Sequence, residues 1–123
     1  MFKLKMKLGM TMVLATALMI SACGKKDDNK ISDGVSEMKD VLTNVQAAVD
    51  AGDVAKAKTE ATNLESAWEK FEDDVKDKSA ELYEKAETPL HAIEAGAEID
   101  PLDKDVLTKS VNELNQVLDE INK

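Results

Sequence analysis

His91 is the only histidine of the chain, and Glu84, Glu87 and Glu94 accompany it at intervals of three, four and three residues. At about 100° of rotation per helical residue these positions fall on one stripe of a helix, an imidazole among three carboxylates. Nitrogen and oxygen donors of this kind suit a divalent ion such as iron, manganese or zinc. A second carboxylate stripe, Glu65, Glu69 and Glu72, flanks Trp68 and could supply opposing ligands from a neighbouring helix. Both stripes have a plainer reading. His91 lies about 140° from the centre of its helix's apolar seam, toward solvent, where a pairing with Glu87 or Glu94 is worth a few tenths of a kcal/mol. Glu65, Glu69 and Glu72 read equally as a solvated flank that pairs with lysines such as Lys76.

Other chemistry has little to build on. Any Ser-His-Asp or Cys-His arrangement would have to use His91, and the chain has neither a Gly-x-Ser-x-Gly elbow nor a glycine-rich oxyanion loop. Cys-x-x-Cys and phosphate-cradling loops are missing as well. Carboxylate pairs are plentiful, but Trp68 and Phe71 belong to an apolar seam, which leaves a sugar-binding platform without aromatic rings. The reading is that of a protein that is not an enzyme. The Glu-x-x-His pairs of di-iron bundles do not occur.

Charge narrows the partners. The chain has 25 Asp plus Glu against 16 lysines, no arginine, and a net charge of −9. Without guanidinium groups it makes no bidentate contacts to phosphate, and its field repels nucleic acid. Nucleic-acid binding is excluded as an expectation.

The positioning elements follow from apolar spacing. Ser32 and Asp33 are expected to cap a first helix with Val35, Met38, Leu42, Val45 and Val49 on one face, ended by Gly52. Asp53 caps a second, with Val54, Ala57, Ala61, Leu64, Trp68, Phe71 and Val75 as one uninterrupted seam. Ser79 opens a third, with Leu82, Ala86, Leu90 and Ile93; Pro89 inside it predicts a kink or a break. Asp100-Pro101 or Asp103 starts the last, whose seam is Leu107, Val111, Leu114, Leu118 and Ile121, flanked by Val106 and Val117. Four amphipathic helices with tight connections predict an all-α fold, a small antiparallel up-down four-helix bundle over residues 32–123.

The N-terminal residues bear on location. Lys3, Lys5 and Lys7 precede an apolar run over residues 8–20, followed by small residues, the three parts of a secretory signal. The run is shorter than the ~20 residues of a membrane span. Ile20-Ser21-Ala22-Cys23 resembles the bacterial lipobox, an aliphatic residue and two small ones before a cysteine that becomes acylated and N-terminal. The resemblance implies a signal peptide over residues 1–22 and a lipidated Cys23. Residues 24–30 are polar and without apolar period, so 23–31 read as the anchor and a flexible tether. Cys23 is the only cysteine, so no disulfide competes for it. Two or three acyl chains meet the requirement for stable anchoring. The protein is then extracytoplasmic, held on a bacterial membrane.

His91-Ala92-Ile93-Glu94 is similar to the His-x-x-Glu signature of the imelysin-like proteins, among them lipoprotein and periplasmic components of bacterial iron uptake. That resemblance implies His91 and Glu94 as metal ligands and a divalent metal ion, iron among them, as cofactor. Two functions of different class are therefore expected. One is a non-catalytic binding or structural module facing an envelope protein partner. The other is a metal-binding accessory protein of an uptake system.

Overall fold

The computed structural model describes the backbone of residues 7–123 and the side chains of residues 29–123. The expected signal peptide and the expected lipidation site at Cys23 lie outside the described side chains. Five helices follow one another, α1 (Lys7–Ala51), α2 (Val54–Glu69), α3 (Glu72–Lys78), α4 (Ala80–Ala97) and α5 (Lys104–Ile121), with no strand among the described residues. The chain divides into two compact units, Met1–Lys30 and Ile31–Lys123, and the second carries the apolar seams.

Helix starts are set by side chains that satisfy orphan backbone donors. The Asp53 carboxylate accepts from the Lys56 N–H at 3.0 Å, the Ser79 hydroxyl from Leu82 at 3.2 Å, and the Asp103 carboxylate from Val106 at 3.2 Å. Gly52, at φ 68°, ends α1 in the left-handed region that a residue without Cβ enters at no steric cost. These ends make the connections short and leave the apolar seams facing inward. Every seam residue from Val35 to Val49, Ala57 to Val75 and Leu107 to Ile121 is buried, as are Ala86, Leu90 and Ile93. Val54 and Leu82, at the starts of their helices, are half-buried and pack against this core.

The structure bears on three local expectations. First, α1 runs unbroken through Ser32 and Asp33, which are exposed, so neither caps a helix. No proline interrupts residues 7–51.

Second, the second seam is carried by two helices. Lys70 and Phe71 donate to Ala67 and Trp68, each three residues back, at 3.3 and 3.1 Å, and Phe71 leaves helical geometry at φ −139°, ψ 9°. At this tightened turn the Phe71 ring lies against Gly34 in α1. α3 restarts with Glu72, Asp73 and Asp74 in its first turn and closes with Lys76 and Lys78 in its last, charges that complement the helix dipole. That charge order is a helix-start signal in the sequence, masked by the apolar period that runs through it.

Third, of the kink or break expected at Pro89, the break does not occur: α4 continues through it as one helix. Proline removes the donor that would bond the Lys85 carbonyl, a local cost of about 3 kcal/mol in a helix interior. Its ring is buried in line with Ala86, Leu90 and Ile93, so packing of both halves on one core keeps a single helix.

Contacts between helices define their register. Asp50, Gln46 and Lys39 of α1 meet Lys104, Thr108 and Asp119 of α5. Glu37 of α1 meets Lys70, and Gly34 meets Phe71. Lys58, Trp68 and Glu72 meet Glu98, Glu87 and Tyr83 of α4. Gly96 and Lys85 of α4 meet Leu107 and Glu120 of α5. The ion pairs in this set are exposed and contribute little stability each; the close approach of Gly96 to Leu107 reports tight packing of α4 on α5.

Candidate functional site

The polar residues singled out by spacing gather along the seam between α2 and α4. Trp68 is the largest buried side chain, with no exposed surface. It meets Phe71 edge-on at 5.4 Å between ring centroids and stacks on Tyr83 at 5.8 Å. A buried indole needs an acceptor, and its Nε1–H donates to Glu87 Oε2 at 2.6 Å. The other oxygen of Glu87 lies 3.1 Å from His91 Nε2, one helical turn on. Glu87 thus joins a buried aromatic on α2 to an imidazole on the outer side of α4. His91 itself points to solvent, its side chain 62% exposed.

Tyr83 extends the cluster to α3. Its hydroxyl donates to Glu72 Oε1 at 3.3 Å, and the Lys76 ammonium sits 5.4 Å from its ring centroid. Burial raises the Tyr83 hydroxyl above its ordinary range, and the charges of Glu87 and Glu72 add to the effect. Burial also raises Glu72, opposed by the Tyr83 hydrogen bond that favours its ionised form.

Toward the other end of α4, Glu94 faces Glu65 of α2. The two line a cleft of about 280 Å³ with Lys58, Ala61, Thr62 and Glu98. Glu65 Oε1 and Glu94 Oε2 are shut off from solvent with no other group donating to either, so a hydrogen bond between the two carboxyls requires one of them to hold a proton. The Glu65 carboxyl is pushed up to about 7, first by hydrogen bonding with Glu94, then by burial, then by the charges of Glu94 and Glu87, with His91 acting in the opposite sense.

The expected metal stripe is therefore divided. Glu87 pairs with His91 and Trp68, Glu94 faces Glu65, and Glu84 is exposed. Of the opposing carboxylates, Glu65 and Glu72 turn toward α4 residues while Glu69 is exposed. Among the described residues, no group of three or more His, Cys, Asp or Glu side chains could hold a metal ion. What the cluster can do is hold protons between carboxylates and fasten α2 and α3 to α4. Sequence reasoning missed the indole and phenol donors, since Trp68 reads as core and Tyr83 carries no motif. Trp68 and Tyr83, apolar rings with polar tips near acidic stripes, were the signal.

Comparison with models of protein families, with curated proteins and with solved structures finds no match to this chain.

Proposed function

We propose that the chain is a lipid-anchored extracytoplasmic protein whose folded unit is a non-catalytic binding or structural module at a bacterial membrane. The observation that carries the reading is Ile20-Ser21-Ala22-Cys23 placed directly behind a basic and apolar leader. None of the described helices is long and apolar enough to cross a membrane. The module is a small antiparallel up-down four-helix bundle in which α2 and α3 together form one arm. Support comes from the contacts: residue numbers rise along one helix as they fall along its neighbour, for α1 with α5, α1 with α2, α2 with α4 and α4 with α5.

The binding or structural reading is favoured over metal capture because the acidic and imidazole groups are engaged with one another and with Trp68 and Tyr83. The metal-capture reading needs His91 and Glu94 to share an ion.

Lipidation is tested by expressing the full chain in bacteria fed an alkyne fatty acid. Wild type is expected to take up the label and sediment with membranes; Cys23→Ala is expected to lose both. Label uptake that persists in Cys23→Ala, or no uptake by wild type, overturns the anchor. The two functional classes separate in a calorimetric titration with iron, manganese, zinc and copper ions. Weak binding that is unchanged in His91→Ala is the expected result, and stoichiometric binding at micromolar affinity that His91→Ala abolishes would restore metal capture.

A further inference from the structure

Glu65 of α2 and Glu94 of α4 line one cleft between their helices. Each turns an oxygen away from solvent, and neither oxygen finds a donor. Two acceptors sharing a desolvated contact repel unless one of them holds a proton, in which case the same contact becomes a short charge-assisted hydrogen bond. The surroundings add to the demand for that proton. From α4 the pair is faced by Glu87, His91 and Glu98, from its own helix by Lys58, and from α3 by Glu72. Lys58 is drawn toward Glu98 at 3.7 Å, and His91 toward Glu87 at 3.1 Å. The carboxylates outnumber the cations around the pair.

We propose that Glu65 and Glu94 hold one proton between them, that this proton fastens α2 to α4, and that the seam between the two helices loosens when the proton is lost. The device makes the stability of the module respond to pH across the mildly acidic to neutral range. It rests on the helix packing and is independent of the lipid anchor and of any partner.

Proton linkage sets the direction of the effect. The unfolded chain releases the Glu65 proton near the ordinary value of 4.5, whereas the folded chain keeps it to about 7. Between these values the folded state binds more protons, so unfolding becomes easier as pH rises, and the fall ends once both states are ionised. Below the lower value the group contributes no pH dependence.

The test uses the full chain in detergent, with thermal and denaturant melts from pH 5 to pH 8 and a carbon-13 titration of the glutamate carboxyls. Wild type is expected to lose on the order of tenfold in its folding equilibrium constant over this range, discounted for partial solvent screening of the pair. Glu65→Gln and Glu94→Gln are expected to remove most of that loss and to be more stable than wild type at pH 8, because an amide donates the missing hydrogen bond without titrating. The remaining slope belongs to Glu72. In Glu94→Gln the Glu65 carboxyl is expected to titrate in the ordinary acidic range. His91→Asn is expected to keep the wild-type slope. A loss that persists undiminished in both glutamine variants overturns the proposal, as does a Glu65 titration that stays near neutral without Glu94, or a slope that disappears in His91→Asn.

Discussion

Trp68→Ala is expected to lower the stability of the folded unit by about 3 to 5 kcal/mol, the range for deleting a core aromatic. The indole has no exposed surface and fills the space between Phe71, Tyr83 and the α4 seam. Deleting it opens a cavity that the flanking rings cannot fill by small shifts. It also strips Glu87 Oε2 of its donor at 2.6 Å, leaving a half-buried carboxylate with one fewer partner. Against the roughly 5 to 15 kcal/mol typical of whole domains, the combined loss decides whether the module folds at growth temperature. Trp68→Phe separates the two contributions. Keeping a ring while removing the N–H is expected to cost about 1 to 3 kcal/mol. Denaturant melts followed by circular dichroism give both values, and a Trp68→Ala midpoint within about 1 kcal/mol of wild type would remove Trp68 from the structural centre of the protein.

Gly34→Ala is expected to destabilise, against the usual rule that alanine improves a helix interior by about 1 kcal/mol over glycine. A Cβ at position 34 would stand 2.3 Å from Cδ1 and 2.5 Å from Cγ of the Phe71 ring, distances that force the ring to move. Phe71 is buried and sits at the junction of α2 and α3, so its displacement disturbs two helices and the edge contact with Trp68. Overpacking of this kind costs about 1 to 3 kcal/mol. In a Phe71→Leu background the same substitution is expected to become neutral or stabilising, and a double-mutant cycle by denaturant melts measures the coupling. Additive effects of the two substitutions would show that the ring and the glycine do not constrain each other.

Both results concern a feature that periodicity alone misreads. The spacing of Leu64, Trp68, Phe71 and Val75 predicts one continuous helix, because all four belong on one face and all four are buried. The break at Lys70 and Phe71 falls where the Phe71 ring seats against Gly34 of α1, a contact between residues far apart in the chain. Ser32 and Asp33 mislead for a related reason: a capping residue type permits a helix start without compelling one, and nothing in the preceding polar residues terminates α1. Pro89 shows the same limit from the other side, a breaker overridden by packing.

The candidate site divides along similar lines. The stripe containing Glu87, His91 and Glu94, and the second stripe of Glu65, Glu69 and Glu72, follow from helical arithmetic. Their partners do not. Which oxygen meets an indole, which meets an imidazole and which meets another carboxyl depends on the axial offset of α2 against α4, and side-chain spacing within one helix carries no information about that offset.

Composition and local spacing are enough to establish the helical class, the inward seams, the capping residues Asp53 and Ser79 and the strongly acidic character of the chain, while the structure selects Asp103 over Asp100-Pro101 as the start of the last helix. Each of these is set by neighbours within one or two turns or by residue counts alone. Packing between helices is what breaks the second seam at Phe71, carries α4 through its proline and brings Glu65 against Glu94. Those outcomes depend on the shape and charge that one helix presents to another, and they exist only once the chain has brought distant residues together.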